Sequence, residues 1–259
     1  MNEKQTRIIS VVNQKGGVGK TTTTINIAAA LSALGKKVLA IDLDPQSNLS
    51  QSLGIQTENL ENTVYDLLRE VETFENVVYK HEKFDVLPSN IGLSGAELEL
   101  AGVAGREFLL QRGIGQVIEE GVYDYILIDC SPSLGILTLN SLVTSKEVII
   151  PVQTQFLSMQ GLSQLMRTIE IVKTRLNKDI NVSGVVLTMY DKRTNLSKEV
   201  SEKVIEFFDK LVFKTKISIS VALAEAPSYG QDIFDYKIAS EGAENYLALT
   251  KEIIKQEKR

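Results

Sequence analysis

A glycine-rich segment over residues 13–22 constrains the fold of this chain more than any other part of the sequence. It reads Asn-Gln-Lys-Gly-Gly-Val-Gly-Lys-Thr-Thr, with an apolar run at 8–12 before it and a helical pattern at 23–34 after it. Glycines let the backbone turn tightly and point several N–H groups at one spot, where the following helix adds its partial positive charge. A strand, a glycine-rich turn and a helix in this order predict a phosphate-binding loop.

The residues of this loop can hold the phosphates of a nucleotide together with a magnesium ion. Lys20 supplies a positive charge for the terminal phosphates, and the hydroxyl of Thr21 can ligate Mg²⁺. The usual pattern G-x-x-x-x-G-K-[ST] has a glycine where this chain has Gln14, and Lys15 is an additional lysine. The predicted nucleotide-binding residues of the loop are Lys15, Gly16, Gly17, Val18, Gly19, Lys20, Thr21 and Thr22.

Three aspartates follow predicted strands. Asp129 closes the apolar run 123–129, and a carboxylate there can hold Mg²⁺ opposite Thr21; the alternative is an aspartate that caps the next helix. Asp42 and Asp44 end the second strand two residues apart, so that alternation places both side chains on one side. One of them can face the magnesium shell while the other reaches toward an attacking water, although a solvated Asp-Pro turn is the alternative. We therefore predict Thr21, Asp42 and Asp129 as metal ligands.

Strands and helices alternate along the chain. Apolar runs predict strands at 8–12, 38–42, 84–88, 123–129 and 147–152, a further strand at 182–189, and a short strand with a loop at 213–219. Helical patterns cover 23–34, 57–82, 92–120, 136–144, 158–176, 197–211 and 239–256. This order predicts an α/β fold, a mostly parallel twisted sheet with helices on both faces and ligands at the carboxyl ends of the strands. Since no linker or repeat is visible, we expect one domain over residues 1–259.

Composition excludes several classes of site. The chain has a single cysteine, Cys130, and a single histidine, His81, which excludes an internal disulfide framework and argues against a zinc site or a His-based triad. No segment resembles a signal peptide or approaches the about 20 apolar residues of a membrane span, so a cytoplasmic location is expected. The net charge is −5, yet residues 166–216 contain eleven Lys or Arg against seven Asp or Glu. Such a basic face is compatible with phosphate-backbone contacts, and equally with an ordinary solvated surface.

The loop with its extra lysine resembles the deviant Walker A motif of the ParA/MinD family of P-loop ATPases. Over nearly the whole chain the resemblance is to the ParA/Soj group of partition ATPases. It rests on residues 15–22, 42–46, 127–133, 187–195 and 225–228. The larger partition ATPases carry an N-terminal helix-turn-helix extension, which we expect this chain to lack because it starts almost at the first strand.

The resemblance implies a Mg²⁺-dependent ATPase that cycles between ATP and ADP. It assigns catalytic roles to Lys15, Lys20 and Asp44. Asp44 orients the hydrolytic water, and Lys15 reaches across a dimer interface to the phosphates of the partner's ATP. The ATP-bound homodimer binds double-stranded DNA without sequence preference, a nucleoid-associated state. A ParB-like centromere-binding protein stimulates hydrolysis and releases the dimer from DNA.

The resemblance also implies base and DNA contacts. Adenine contacts come from Met189 and Tyr190 and from the loop that contains Ser218, Ile219 and Ser220. Arg193 matches a DNA-binding position of the family, and further candidates by charge and location are Lys192, Lys198, Lys203, Lys214 and Lys216. Residues 218–222 lack the arginines that many members carry there, so that either lysines elsewhere replace one contact, DNA binding is weaker, or the surface does not bind DNA.

Other functions of the same fold remain open. A MinD-like ATPase that binds membrane needs an apolar face on a C-terminal helix; Leu249, Ile253 and Ile254 have helical spacing, but we expect this helix to dock on the sheet. We therefore expect no membrane partner. A ParA-like positioner of a protein cargo would look almost identical in sequence, and small-molecule ligases and kinases follow no testable motif. The nitrogenase iron-protein type is excluded because it needs two cysteines per subunit.

Overall fold

The computed structural model describes residues 6–155 and 159–256, and over these ranges seven strands form one sheet. The strands lie in the order β3-β4-β2-β5-β1-β6-β7, and all neighbours are parallel except the β3–β4 pair. In chain order they are β1 (Arg7–Val11), β2 (Val38–Leu43), β3 (Tyr79–Lys80), β4 (Asp85–Leu87), β5 (Tyr125–Cys130), β6 (Glu147–Gln153) and β7 (Asn181–Thr188). The predicted mostly parallel α/β fold is thus confirmed.

Helices connect the strands on both faces of the sheet. The α-helices are α1 (Lys20–Ala33), α2 (Asn48–Ser52), α3 (Val64–Leu68), α4 (Phe74–Val77), α5 (Ala96–Glu99), α6 (Leu109–Gly113), α7 (Gly115–Glu119), α8 (Ile136–Thr144), α9 (Met159–Arg175), α10 (Asn195–Phe208), α11 (Val221–Glu225), α12 (Ile233–Lys237) and α13 (Glu241–Lys255). Single 3₁₀ turns lie at Thr57–Asn59, Ile91–Gly95, Leu100–Gly102, Arg106–Phe108, Asp209–Leu211 and Ala226–Tyr229. The region 92–120, which reads as helical with several glycines, is divided into short helices.

The strand predicted within 213–219 is wrong. This segment makes only isolated bridges, between Val185 and Val212 and between Tyr190 and Ser218. Between them the backbone N–H groups of residues 214 and 215 donate to the carboxylate of Glu252 on α13 instead of to the sheet. A side chain from a distant helix therefore interrupts the pairing with β7, to which the backbone N–H groups of Phe213 and Ile217 still donate.

Alternation along the central strands feeds two cores, one on each face of the sheet. On β5, Ile126 and Ile128 pack in the core that α8 and α9 cover, whereas Leu127 packs in the core that α1 and α13 cover. Each fully buried side chain of this size contributes about 1.5–3 kcal/mol relative to exposure. Because both faces are covered, the strands read as nearly continuous apolar runs.

The carboxyl ends of β1, β2 and β5 meet at one edge of the sheet. The chain passes from β1 to β2 on one side, whereas β6 lies beside β1 on the other, so a crevice opens at the end of β1. The register pairs Val11 with Asp129 and Asp42 with Asp129. The glycine-rich loop and both strand-terminal aspartates therefore converge on this crevice.

Candidate active site

Left-handed glycines shape the loop that leads from β1 into α1. Gly17 has φ 71°, and Gly19, which immediately precedes α1, has φ 87°. Other L-residues adopt this region only at a steric cost of roughly 1–2 kcal/mol. The two glycines therefore allow the chain to reverse and to start the helix at Lys20, three residues earlier than the sequence pattern indicates.

Neighbouring strands hold this loop in place. Asn13 Nδ2 donates to the carbonyl oxygen of Pro151 on β6 at 2.6 Å, and the backbone N–H of Lys15 donates to Asn13 Oδ1 at 2.9 Å. Thr188 Oγ1, at the end of β7, donates to the carbonyl oxygen of Val18 at 2.8 Å. Asn13 and Thr188 are supporting residues that the sequence prediction missed, since their partners lie 138 and 170 positions away.

Lys20 lies at the base of the cleft, with only 7% of its surface exposed. Its Nζ donates to the carbonyl oxygen of Lys15 at 3.2 Å. Burial lowers the pKa of Lys20, and the nearby carboxylate of Asp129 opposes that effect. A buried ammonium with few acceptors is arranged for an anionic ligand.

Thr21 and Asp129 form the predicted pair. Thr21 Oγ1 donates to Asp129 Oδ2 at 2.6 Å, and Thr24 Oγ1 donates to Asp129 Oδ1 at 3.4 Å. Asp129 is fully buried, and this burial, together with the charge of Asp42, raises the pKa of Asp129 to about 8. The hydrogen bond from Thr21 and the charge of Lys20 act in the opposite direction. A cation bound here would favour the charged form of Asp129 and offset the cost of burying it.

The oxygen atoms of Thr21 and Asp129 fit a magnesium ion. Their separation of 2.6 Å is close to the roughly 3 Å between neighbouring oxygens around an octahedral Mg²⁺ with ligands about 2.1 Å away. Within residues 6–155 and 159–256, no group of three or more His, Cys, Asp or Glu could hold a metal.

Asp42 takes an anchoring position rather than the predicted place in the metal shell. It is fully buried, and Asp42 Oδ2 accepts hydrogen bonds from both the backbone N–H and the hydroxyl of Ser50 on α2, at 2.9 and 2.7 Å. Asp42 Oδ1 accepts from the backbone N–H of Asp44 at 3.2 Å. Burial raises the pKa of Asp42 to about 6. The geometry does not support Asp42 as a metal ligand, because three donors already use its carboxylate.

Asp44 instead faces the cleft. β2 ends at Leu43, so strand alternation no longer governs Asp44, and the two aspartates diverge. The Asp44 carbonyl oxygen accepts from Ser89 Oγ at 2.9 Å, and Asp44 Oδ1 accepts from the backbone N–H of Gln46 at 2.9 Å. These bonds fix the orientation of a carboxylate that lines the cleft.

The cleft has a volume of about 430 Å³ and adjoins a second cavity of about 240 Å³. The predicted loop and carboxylate residues that line the first cavity are Gly16, Gly17, Gly19, Lys20, Thr21, Thr22 and Asp44. The second cavity is lined by four predicted base contacts, namely Met189, Ser218, Ile219 and Ser220. Together the two cavities form one continuous cleft, because Gly19, Thr22 and Met189 line both.

The structure does not bring Tyr190 to this cleft. Its side chain lines a neighbouring surface cavity together with Arg193, and this cavity shares Ser218 and Ile219 with the smaller cavity of the cleft. The ammonium of Lys216 lies 4.2 Å from the centre of the Tyr190 ring. Met189 has φ 51°, a left-handed backbone in which the chain turns immediately after β7. This turn directs Met189 to the cleft and Tyr190 to the neighbouring cavity, so the adenine contact of Tyr190 stays a prediction.

Several residues that line the cleft escaped sequence reasoning. Asn26 lies one helical turn after Thr22, donates to the Thr22 carbonyl oxygen at 2.7 Å and accepts from the backbone N–H of Ile233 at 2.9 Å. Other lining residues absent from the prediction are Gln46, Asn48, Ser52, Pro132, Leu223, Ala226, Pro227 and Gln231. The motif at 225–228 could have indicated Pro227, whereas no sequence motif marks Asn26.

Lys15 takes a different direction from Lys20. Its Nζ donates to Gln153 Oε1, at the end of β6, at 3.0 Å. Lys15 is not among the residues that line the two cavities. The additional lysine therefore extends along the carboxyl edge of the sheet rather than into the cleft of its own chain.

The candidate DNA-binding residues are exposed, except for the half-buried Lys216, and they do not form one patch. Arg193 is paired with Asp191 through two bonds, from Nε at 2.9 Å and from NH2 at 2.8 Å, and these bonds lower the pKa of Asp191 to about 2. Lys192 lies beside this pair, and Lys216 lies over Tyr190. Three further candidates lie apart from it: Lys198 and Lys203 on the exposed face of α10, and Lys214 in a separate cavity with Lys210 and Lys255.

The C-terminal helix α13 docks on the sheet, as expected from the sequence. Leu249 and Ile253 are fully buried and pack in the same core as α1. The last residues of the predicted tail, 257–259, lie outside the described residues. Over the described ranges, no helix is both long enough and apolar enough to cross a membrane.

Comparison with known proteins agrees with this geometry. The AAA domain family model matches residues 6–182. The sporulation initiation inhibitor protein Soj of Bacillus subtilis is 47% identical over 249 residues, covering 95% of this chain and 98% of Soj. The chromosome partitioning protein ParA of Myxococcus xanthus is 44% identical over 253 residues, covering 97% and 89%.

A solved structure also resembles the whole fold. Cobyrinic acid a,c-diamide synthase from Mycobacterium smegmatis, with bound ADP and magnesium, is similar with a TM-score of 0.87 and 35% identity, covering 98% of this chain and 96% of that one. Its ADP and magnesium match the ATP/ADP and Mg²⁺ that the sequence predicts as cofactors. The shared loop, sheet and full-length similarity show that the chain belongs to the Soj/ParA family of P-loop ATPases.

Proposed function

We propose that this chain is a Mg²⁺-dependent ATPase whose ATP-bound dimer binds double-stranded DNA without sequence preference. One observation carries the proposal. The cleft brings together Lys20, the Thr21–Asp129 pair and Asp44, while Lys15 extends away from it. One chain supplies the groups that bind the phosphates, but its additional lysine lies outside the cleft. This arrangement suits a site to which a second subunit adds its own Lys15.

Within one chain, the residues divide the work of hydrolysis. The backbone of the loop and Lys20 hold the phosphates, and Thr21 and Asp129 would hold Mg²⁺, which when bound supplies positive charge to the terminal phosphates. Asp44 orients a water molecule for attack on the γ-phosphorus. The bond from that phosphorus to the bridging oxygen breaks, which yields ADP and phosphate.

Lys15 completes the site across the dimer interface. An in-trans cation stabilises the charge that develops in the transition state and contributes about 10³–10⁵ in rate in the best cases. The same contact makes the dimer depend on ATP. Lys15 therefore couples nucleotide state to assembly.

The proposed partners follow from the family and the surface. The relatives named Soj and ParA are described as a sporulation initiation inhibitor and a chromosome partitioning protein. Arg193 and the lysines near it offer positive charge for DNA phosphates. A ParB-like partner would stimulate hydrolysis, which releases the dimer from the DNA of the nucleoid and returns the protein to the monomeric state. We propose that one domain, over residues 1–259, carries all of these steps.

Asp44→Ala protein tests the proposal. With ATP and Mg²⁺ we expect turnover to fall at least about a hundredfold, since a positioned base contributes at least that factor. We also expect a stable dimer by gel filtration and retardation of any duplex DNA. With ADP the same protein should be a monomer that does not retard DNA. A monomer under every nucleotide condition would contradict the dimer switch.

A small-molecule synthase is the second candidate, favoured by the similarity to the synthase from Mycobacterium smegmatis. Such an enzyme would hydrolyse ATP only with its small substrate present and would not need DNA. ATP-dependent DNA retardation by the Asp44→Ala protein therefore separates the two functions. A membrane-binding function is disfavoured because Leu249 and Ile253 are buried against the sheet.

A further inference from the structure

A chain of hydrogen bonds connects Lys15 to two glutamines. Lys15 Nζ donates to Gln153 Oε1 at 3.0 Å, and Gln153 Nε2 donates to Gln155 Oε1 at 2.8 Å. Gln153 is the last residue of β6, and Gln155 lines the smaller cavity of the cleft. The Gln153 carboxamide thus uses its oxygen for Lys15 and its nitrogen for Gln155, which fixes its orientation.

β6 holds Lys15 at two points. Its backbone N–H is bound to Asn13, whose amide in turn donates to the Pro151 carbonyl oxygen on β6. Its ammonium is bound to Gln153, two residues further along the same strand. Hydrogen bonds therefore fix both the backbone and the side chain of Lys15 relative to the end of β6.

The chemistry of this acceptor sets the strength of the hold. A long lysine side chain has large rotamer freedom, and the hydrogen bond to the neutral amide of Gln153 gives it a preferred direction. A carboxylate at the same place would hold the ammonium more strongly, since it adds the attraction of a full opposite charge to the hydrogen bond. A neutral glutamine can therefore direct the Lys15 side chain and still release it to a second subunit.

We propose that Gln153 is a positioning residue that holds Lys15 outside the cleft of its own chain and releases it when a second subunit with ATP arrives. Gln155 orients the carboxamide so that its oxygen faces Lys15. This inference rests on the proposed function, in which Lys15 acts across the dimer. Gln153 itself does not touch the nucleotide.

The test measures the ATP-dependent dimer dissociation constant in the Asp44→Ala background, which prevents turnover. Gln153→Glu keeps the shape and adds a negative charge, and we expect it to raise the dissociation constant about tenfold, because the carboxylate attracts the ammonium of Lys15 in addition to the hydrogen bond. Gln153→Met keeps the length without a strong acceptor, and we expect the constant to stay unchanged or to fall. ATP affinity of the monomer should be the same in all variants, which also verifies that they fold.

A second substitution separates positioning from a general effect of charge. In Lys15→Gln protein, Gln153→Glu should no longer change the dissociation constant, since there is no ammonium to hold. The inference would be overturned if Gln153→Glu left the dimer dissociation constant unchanged. It would also be overturned if Gln153→Glu raised this constant equally with and without Lys15. The role of Lys15 itself is tested by Lys15→Gln with Asp44 intact. If this variant dimerises and hydrolyses ATP like the wild type, the proposed role of Lys15 fails. If it is impaired while Gln153→Glu is not, only the role of Gln153 fails.

Discussion

Individual ionisable side chains at and beneath the cleft are buried. Asp42 and Asp129 are fully buried, and burial raises the pKa of both carboxyl groups. Burial also lowers the pKa of Lys20 at the base of the cleft. Such groups are costly for the folded state unless they meet opposite charge. A polyphosphate with a divalent cation would supply the opposite charge to Lys20 and Asp129, whereas hydrogen bonds from Ser50 and Asp44 already stabilise the Asp42 carboxylate.

Thr21 gives a prediction at this scale. Thr21→Ala removes the hydroxyl that lies 2.6 Å from Asp129. We expect the gain in ATP affinity on adding Mg²⁺ to be about tenfold smaller than in the wild type, which corresponds to ~1.4 kcal/mol of binding free energy. Titration of ATP with Mg²⁺ and with EDTA measures this difference. Thr21→Ser keeps the hydroxyl and should behave like the wild type. Equal Mg²⁺ dependence in the alanine variant would argue against Thr21 as a ligand.

At the scale of elements, two segments that line the cleft meet through glycine backbones. Gly54 follows α2, and Gly230 follows the turn Ala226–Tyr229. A Cβ at Gly230 would lie 3.0 Å from Gly54 Cα and 3.2 Å from Gly54 N. α2 carries Ser50, which anchors Asp42. The contact therefore connects the wall of the cleft at residues 226–227 with the loop that carries Asp44.

Gly230→Ala tests this contact, with Gly121→Ala as the matched control. Both positions have left-handed φ, 66° and 61°, so each should lose roughly 1–2 kcal/mol of unfolding free energy. A Cβ at Gly121 meets nothing within 4 Å. Only Gly230→Ala should also weaken ATP binding, by about tenfold. Equal ATP affinities for the two variants would show that the contact does not shape the cleft.

The docking of α13 gives a second prediction for an element. Leu249→Ala should reduce the unfolding free energy by about 2–5 kcal/mol, because it leaves a cavity in the core shared with α1. Lys251→Ala on the exposed face of the same helix should stay within about 0.5 kcal/mol. Urea unfolding compares the two. A small effect at Leu249 would reopen the possibility that this apolar face serves a membrane.

For the molecule as a whole, charge is distributed unevenly. The chain carries a net charge of −5, but basic residues predominate over residues 166–216. Arg193 follows the carboxyl end of β7, at the same edge of the sheet as the nucleotide cleft. A DNA contact there would lie next to the surface that the proposed dimer creates, so assembly could bring two such contacts onto one duplex.

Arg193→Ala should weaken DNA binding without loss of ATP-dependent dimerisation. We expect the slope of log affinity against log salt to fall in magnitude by about 1, the value for one lost phosphate contact. Lys178 lies before β7 at the opposite end of the strand and is also exposed, so Lys178→Ala is the matched control. Intact DNA affinity of the Arg193 variant at the same salt would refute this assignment.

The sequence by itself determined the fold class, the position of the loop and the order of most elements. The helix predicted at 136–144 is observed as Ile136–Thr144. The reason is that these features depend on local apolar runs, on glycines that turn the chain and on the continuous burial of parallel strands. The pairing of Thr21 with Asp129 could also be anticipated, because the ends of neighbouring parallel strands must meet.

Only the tertiary structure decided which side chains share a partner. It separated Asp42 from Asp44, since Ser50 folds back to bind the first and the strand ends before the second. It directed Tyr190 away from the base cavity, and it paired Lys15 with Gln153, 138 residues along the chain. Periodicity describes neighbours in sequence, whereas hydrogen bonds and burial depend on residues that become neighbours only when the chain is folded.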